Sequence, residues 1–212
     1  MSNLKDARLR RRIAAEAARI LLERGGRDYQ VAKRKAAEQL GAGDSRHLPS
    51  NAEIEQALME YQRVFHAHTQ PAHLHHLREV AVDAMTFLAP FAPRLVGPVL
   101  NGSADHNSAV NLHVFCDVSE EVGLFLDAHS IPYELGERKL RLSADSSQLY
   151  PCYRFVAGDC RLELTVFPID GQRRAPLSPV DGKPMRRASL DQVSALLLAP
   201  SGPGEPDQTE FA

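Results

Sequence analysis

Apolar residues in the first 65 positions recur at intervals of three and four, which is the pattern of amphipathic helices. The pattern predicts helices over residues 5–24, over residues 28–40 with Asp28 as the N-cap, and from Asn51 onwards. The buried face of the third helix is predicted to consist of Ile54, Leu58, Tyr61 and Phe65. We therefore interpret residues 1–66 as a helical module.

From Pro93 onwards the pattern changes to short apolar runs separated by turn residues, which is typical of strands. The predicted elements are a helix over 71–88, strands over 95–100 and 109–116, a helix over 118–129, a hairpin over 133–142 turning near Gly136-Glu137, and a strand pair, 153–157 and 161–167, joined at Gly158-Asp159. Ser189 and Gln192 form a capping box before a final helix. The predicted fold class is α+β: the helical module, then a mixed sheet with flanking helices over 71–199, and a disordered tail over 200–212.

The composition excludes several classes of protein. Of the 212 residues, 43% are hydrophobic and 25% are charged, which is too apolar for a wholly disordered chain. No apolar run approaches the ~20 residues of a membrane span, and the N-terminus has no apolar secretion signal. Three cysteines without C-x-x-C spacing favour a reducing compartment. We therefore expect a cytoplasmic protein without a membrane partner.

The charge is unevenly distributed along the chain. Residues 1–40 contain 11 Lys or Arg against five Asp or Glu, although the whole chain has a formal net charge of −2. A basic helical module can attract a nucleic acid or an acidic protein surface, and it can equally be a well-solvated helical surface. A protein partner bound through residues 1–66 is therefore one hypothesis.

Histidines are concentrated in the connector at residues 66–76, which contains five of the nine in the chain. His73 and His76 lie three positions apart on a predicted helix and could share a metal ion, provided that a residue such as His66 or His68 adds a third ligand. The alternative is that these histidines are solvated on the helix surface.

Turn and strand residues in the middle of the chain carry a family resemblance. Gly102-Ser103 follows the first predicted strand, the next strand begins Ser108-Ala109-Val110-Asn111-Leu112, and a later strand places Glu163 between two leucines. This arrangement resembles the polymerase-β-type nucleotidyltransferase superfamily over about residues 71–170. The resemblance implies a small nucleotidyltransferase-like sheet, an acidic pair on the second strand, a third acid on a later strand, and two Mg²⁺ ions between them.

The sequence departs from this family pattern at the first two acidic positions. Ala109 and Asn111 stand where the two acids are expected, and a shift of two residues places Asn111 and His113 there instead. Glu163 matches the third acid, because it alternates with apolar neighbours on a strand. The resemblance therefore implies Glu163 and Asn111 as catalytic candidates, with Mg²⁺ as cofactor if the protein is active. The candidate metal ligands are Glu163, Asn111, His113 and Asp105.

Phosphate binding is predicted at two places. Gly102 lets the backbone approach a phosphate, and Ser103 offers a hydroxyl. Residues 173–187 contain five basic side chains in fifteen positions, and the N-terminus of the following helix adds partial positive charge. These basic candidates are Arg173, Arg174, Lys183, Arg186 and Arg187. The alternative for this segment is a solvated loop.

Together these observations predict a nucleotidyltransferase-like protein that has lost most of its metal-binding acids and binds a nucleotide or the phosphates of an RNA. Two alternatives stay open. The protein could be an active metal-dependent nucleotidyltransferase, or it could be a protein-interaction module that uses the basic helices of residues 1–66.

Overall fold

The computed structural model describes residues 2–24, 28–42, 48–65 and 69–198. It confirms an α+β fold with an N-terminal helical region and a five-stranded mixed sheet. The predicted metal ligands His66 and His68 and the predicted tail over 200–212 lie outside these residues. Within the described ranges, no helix combines the length and hydrophobicity needed to cross a membrane.

Three helices form the N-terminal region: α1 (Ser2–Arg24), α2 (Tyr29–Gln39) and α3 (Asn51–Phe65). Asp28 caps α2 as predicted, since its carboxylate accepts hydrogen bonds from the amides of Gln30 and Val31 at 3.1 and 3.0 Å. The three helices enclose their own hydrophobic core, which includes Ile13, Ala17, Ala32, Ala36, Ile54 and Leu58. The predicted burial of Phe65 is wrong, because this residue is 66% exposed at the end of α3.

The C-terminal region is built on α4 (Gln70–Phe87), α5 (Pro98–Asn101), α6 (Glu120–Ala128) and α7 (Leu190–Leu198) with five strands. The strands are β1 (Arg94–Val96), β2 (Val110–Phe115), β3 (Glu134–Arg141), β4 (Ser147–Ala157) and β5 (Cys160–Phe167). Their order in the sheet is β1-β2-β5-β4-β3, with β2 and β5 parallel and the other pairs antiparallel. The parallel pair therefore lies near the centre of the sheet.

Two strand predictions are wrong for identifiable reasons. The strand predicted over 95–100 ends at Val96, because Gly97 adopts a left-handed φ of 75° and Pro98, which cannot donate to a ladder, begins α5. The turn predicted at Gly136 lies instead at residues 142–146, and β3 is continuous through the glycine. Gly136 has a packing role: a Cβ there would lie 2.6 Å from Nη1 of Arg154.

Other local signals have the predicted effect. The capping box is present, since the Ser189 amide donates to Gln192 Oε1 at 2.9 Å and the Gln192 amide donates to Ser189 Oγ at 3.4 Å. Gly158 has a φ of 63° in the turn between β4 and β5, as the Gly158-Asp159 pair predicted.

The two faces of the sheet have different compositions because strand residues alternate in direction. One face carries Leu112, Leu164, Val166 and Tyr153 and packs with α4, α6 and α7 in the main hydrophobic core. We call this the helix face. The opposite face, which we call the polar face, carries Asn111, His113, Arg138, Arg154, Glu163 and Thr165.

Candidate functional site

The polar face brings together the two predicted catalytic candidates. Asn111 of β2 and Glu163 of β5 are direct partners in the parallel register, and Arg154 of β4 is the antiparallel partner of Glu163. These three side chains therefore stand in one row across the middle of the sheet. Strand alternation predicted the direction of Asn111 and Glu163, and the register of the sheet brings them side by side.

Two arginines hold the Glu163 carboxylate. Nη1 of Arg138 lies 3.1 Å from Glu163 Oε2, and Nε of Arg154 lies 3.5 Å from Glu163 Oε1. Arg138 Nη1 also donates to Asn111 Oδ1 at 2.9 Å. The side chains of Arg138, Arg154 and Glu163 are 38%, 39% and 25% exposed, so solvent reaches the cluster. We call these three residues with Asn111 the arginine cluster.

Sequence reasoning missed Arg138 and Arg154. A signal was available in the strand alternation, because Arg154 stands between the apolar, buried Tyr153 and Phe155 and must therefore face the other side of the sheet. The signal for Arg138 was obscured by the turn predicted at Gly136, which divided β3 into two short strands and removed Arg138 from the sheet face. The pairing of Arg154 with Glu163 depends on the β4–β5 register, which the Gly158 turn sets.

Ser103 is not part of the arginine cluster. Its side chain is fully buried, and its hydroxyl donates to Glu55 Oε1 of α3 at 2.5 Å. The Tyr29 hydroxyl donates to the other oxygen of the Glu55 carboxylate. Gln62 Nε2 donates to the Ser103 carbonyl at 3.3 Å. The Gly102-Ser103 turn therefore joins the helical region to the sheet region, with Gly102 in a left-handed conformation at φ 83°.

His113 lies on the polar face but is buried, with 2% of its surface exposed. Its Nδ1 accepts a hydrogen bond from Arg187 Nε at 3.0 Å. Burial, together with the positive charges of Arg187 and Arg138, holds the pKa of His113 well below its ordinary value. The imidazole is therefore neutral at physiological pH, and its Nδ1 lone pair is occupied by the guanidinium.

Asp105 lies in the loop before β2 and organises that loop. Its Oδ1 accepts hydrogen bonds from the Asn107 amide at 2.8 Å and from the Ser108 hydroxyl at 3.0 Å. Such local bonds are typical of an aspartate that stabilises a turn. The hydrogen bonds of this carboxylate lie within residues 105–108, and its geometry is that of a turn-forming residue.

The basic segment crosses the sheet and returns. From β5 it reaches the free edge of β3, where the Leu177 amide donates to the Arg141 carbonyl at 2.7 Å, and it comes back to pair Ala188 with Leu95 of β1. Of its five basic residues, Arg187 covers one end of the polar face, with its guanidinium carbon 5.0 and 4.9 Å from the ring centres of Phe115 and Phe167. The other four are exposed: Arg173, Arg174, Lys183 and Arg186.

Arg187 differs from the other four basic residues because its side chain is partly buried. Desolvation lowers its pKa to about 10, which still leaves the guanidinium charged at neutral pH. Arg94 is the β1 partner of His113 and adds to the positive field at Arg187. The polar face thus holds four arginines around the central carboxylate of Glu163: Arg94, Arg138, Arg154 and Arg187. Glu134, on the edge strand β3, is the register partner of Arg154. Positive charge is in excess there.

The histidine pair predicted at His73 and His76 is divided between two partners. His73 Nε2 lies 3.0 Å from the Asp105 carbonyl, and His76 Nε2 lies 3.1 Å from Asp159 Oδ1 in the β4–β5 turn.

All three cysteines are buried free thiols, and burial raises the pKa of each. Raised thiol pKa values disfavour a cysteine nucleophile.

Comparison of the chain with protein-family models, with curated proteins and with solved structures gives no match. The function must therefore be inferred from the residues of the site themselves.

Proposed function

We propose that this protein is a catalytically degenerate relative of the nucleotidyltransferases that binds the phosphates of a nucleotide or an RNA on the polar face of its sheet. The observation that carries the proposal is the arginine cluster. Guanidinium groups approach both oxygens of Glu163, the one carboxylate that the family resemblance retains. The proposal includes a cytoplasmic location, which the three free thiols support.

The side chains present do not fit a pair of Mg²⁺ ions. Mg²⁺ requires oxygen ligands at about 2.1 Å in near-octahedral geometry, and carboxylates usually supply the compensating negative charge. At the positions that the resemblance assigns to acids, this chain offers Ala109, the neutral Asn111 and Glu163. Glu163 is already engaged by two arginines, whose positive charges repel a cation. The proposed function therefore includes no metal-dependent step.

The same side chains suit a phosphate. A guanidinium carries five N–H donors in a planar fork that matches phosphate oxygens. Arg138 uses Nη1 for Glu163 and Asn111, and Arg154 uses Nε for Glu163. Each arginine therefore has further donors with which to bind a phosphate oxygen while it stays bonded to Glu163. Arg94 and Arg187 strengthen the positive potential that attracts the anion.

Ligand-dependent thermal stability tests this proposal, because a ligand that prefers the native state raises the unfolding temperature. ATP, CTP and a short RNA are added separately to the full chain, in EDTA and in Mg²⁺. We expect at least one of them to stabilise the protein in both buffers. The Arg138→Gln/Arg154→Gln double variant should lose this shift. Arg141→Gln is the matched control, since Arg141 is exposed on β3 and alternates to the other side of the strand.

Two outcomes contradict the proposal. One is the absence of a shift with every ligand at millimolar concentration. The other is Mg²⁺-dependent incorporation of labelled nucleotide, which would establish the active transferase instead. Circular dichroism of the double variant distinguishes a lost binding site from a lost fold.

A protein-interaction module is the second candidate, and one observation favours it. Val64 and Phe65, at the end of α3, are 62% and 66% exposed although both are large and apolar. A partner captured by the full chain, but not by Val64→Ser/Phe65→Ser, would support this function. Capture that depends on Arg138 and Arg154 instead would support the polar face.

A further inference from the structure

We propose that His76, Asp159 and Cys160 form a binding site for one divalent transition-metal ion of the zinc class. His76 is on α4, Asp159 is in the turn between β4 and β5, and Cys160 is the first residue of β5. The site lies on the side of the sheet that α4 covers, whereas the arginine cluster lies on the polar face. It is independent of the proposed function.

The spacing of the three donor atoms matches the spacing around a single ion. His76 Nε2 and Asp159 Oδ1 are 3.1 Å apart, Cys160 Sγ and Asp159 Oδ1 are 3.3 Å apart, and Cys160 Sγ and His76 Nε2 are 3.6 Å apart. Tetrahedral zinc with bonds of ~2.0–2.3 Å separates a nitrogen, an oxygen and a sulfur ligand from one another by about 3.3–3.6 Å. An ion therefore fits between them with side-chain adjustments of a few tenths of an ångström.

The chemistry of the donors selects the class of metal. An imidazole nitrogen, a sulfur and a carboxylate oxygen form a mixed set that favours zinc and similar borderline ions, whereas Mg²⁺ and Ca²⁺ prefer oxygen ligands alone. A search of the described residues for three or more histidine, cysteine or acidic side chains whose ligand atoms all lie within 4.8 Å of one another finds this trio. Three protein ligands leave a fourth tetrahedral position for water or a substrate atom.

A further side chain is placed to orient the histidine. Glu79, on the next turn of α4, has its Oε2 3.9 Å from His76 Nδ1. A carboxylate that accepts a hydrogen bond from Nδ1 fixes the tautomer that leaves Nε2 available for the metal, and a small rotation of the Glu79 side chain would bring its oxygen within that distance. The helix therefore supplies both the ligand and the group that directs it.

The site joins two parts of the fold that are far apart in the sequence. His76 and Cys160 are 84 positions apart, and the ion would tie α4 to the β4–β5 turn. Metal binding to a site that exists only in the folded chain adds to folding stability. We therefore expect zinc to raise the unfolding temperature of the protein.

Cobalt spectroscopy tests the site directly. The full chain is treated with a chelator and titrated with Co²⁺, and we expect one equivalent to produce the visible bands of tetrahedral cobalt and a thiolate-to-cobalt charge-transfer band. Added Zn²⁺ should remove both. Cys160→Ser and His76→Gln should abolish the charge-transfer band or weaken binding at least about tenfold. Cys116→Ser is the matched control and should leave the spectrum unchanged, because Cys116 Sγ contacts Val118 and Glu121 instead.

Asp159→Asn is a second test variant in case the substitution of the buried Cys160 prevents folding. The Asp159 side chain is 80% exposed, and the substitution preserves its shape, so this variant should fold. It should weaken cobalt and zinc binding and reduce the zinc-dependent rise in unfolding temperature. The proposal is overturned if wild-type protein gives no thiolate-to-cobalt band. It is equally overturned if Asp159→Asn or Cys160→Ser binds Co²⁺ with the wild-type spectrum and affinity.

Discussion

The two faces of the sheet are made by the same strands but serve different purposes. On β5, Leu162 and Leu164 are almost completely buried on the helix face, whereas Glu163 between them is half-buried on the polar face. Burial of apolar side chains stabilises the fold, while partly exposed ion pairs contribute little to it. The helix face therefore supplies most of the apolar burial of the sheet. On the polar face a smaller buried cluster of Phe115, Tyr150 and Phe167 occupies one end, and the partly exposed arginine cluster is the part available for a ligand.

The largest expected difference between the faces is in stability. Leu164→Ala should lower the free energy of unfolding by about 2–5 kcal/mol, because it removes methyl groups from the closed core and leaves a cavity. Leu149→Ala, at a leucine that is 55% exposed, is the matched control and should change it by less than about 0.5 kcal/mol. Denaturant unfolding measures both. Both leucines lie on the helix face, so equal losses would contradict its closed core. A loss for Leu164→Ala no larger than that for Glu163→Gln would remove the distinction between the faces.

An intermediate effect is expected where the helical region joins the sheet. Ser103→Ala removes the hydroxyl that donates to the buried carboxylate of Glu55, and it should cost about 1–3 kcal/mol in denaturant unfolding. Phosphate binding should be unchanged, since Ser103 lies away from the arginine cluster. Ser143→Ala, in an exposed turn, is the control. A loss of ligand affinity without a loss of stability would assign Ser103 to the binding site after all.

Glu163→Gln should change stability by no more than about 1 kcal/mol, because the pairs that it breaks are partly exposed. Its effect on binding has the opposite sign to that in a metal-dependent transferase. Without the carboxylate, Arg138 and Arg154 present more positive charge, so affinity for ATP in EDTA should rise severalfold. Calorimetric titration measures this change, and weaker binding in the variant would indicate that Glu163 itself contacts the ligand or its metal.

The smallest expected effect lies in the helical region, at the pair of Arg10 and Glu53. Hydrogen bonds from Arg10 at 2.7 and 2.6 Å, with a smaller contribution from Ser50, lower the pKa of Glu53 to about 2 from an ordinary 4.5. A lowered folded-state pKa adds stability above pH 4.5, and this stability is lost as the pH falls from 4.5 towards 2.

Glu53→Gln should therefore slightly lower the unfolding free energy near neutrality and remove its fall between pH 4.5 and 2. The slope with pH near neutrality should be the same in both proteins. Acid titration of denaturant unfolding for the two proteins makes the comparison. An identical slope in both between pH 4.5 and 2 would show that Arg10 and Glu53 are not paired in solution.

The sequence predicted the elements that local interactions determine. The cap at Asp28, the capping box at Ser189 and the turn at Gly158 depend on neighbours within a few positions, so their residue types were sufficient. The end of β1 and the role of Gly136 depend on packing: Gly136 lies in the middle of a strand because the Arg154 side chain crosses it. Composition alone suggested a turn there.

The sites were less predictable from the sequence because their side chains meet through contacts between distant residues. Glu163 and Asn111 could be placed by strand alternation, and the Gly158 turn sets Arg154 opposite Glu163. Arg138 joins them through the β3–β4 register, which the turn wrongly predicted at Gly136 concealed. The histidine pair predicted on α4 used helical spacing, whereas the partners of His76 lie 83 and 84 positions away. Long-range pairing determines which side chains meet.

We propose above all that the polar face binds phosphate through arginines and without metal ions. The most direct measurement is calorimetric titration, in EDTA, of the wild-type chain and of Arg138→Gln/Arg154→Gln with the nucleotide or RNA that stabilises the protein most. We expect binding by the wild-type chain and none by the double variant at the same ligand concentrations. Binding that requires Mg²⁺, or that survives in the double variant, would contradict it.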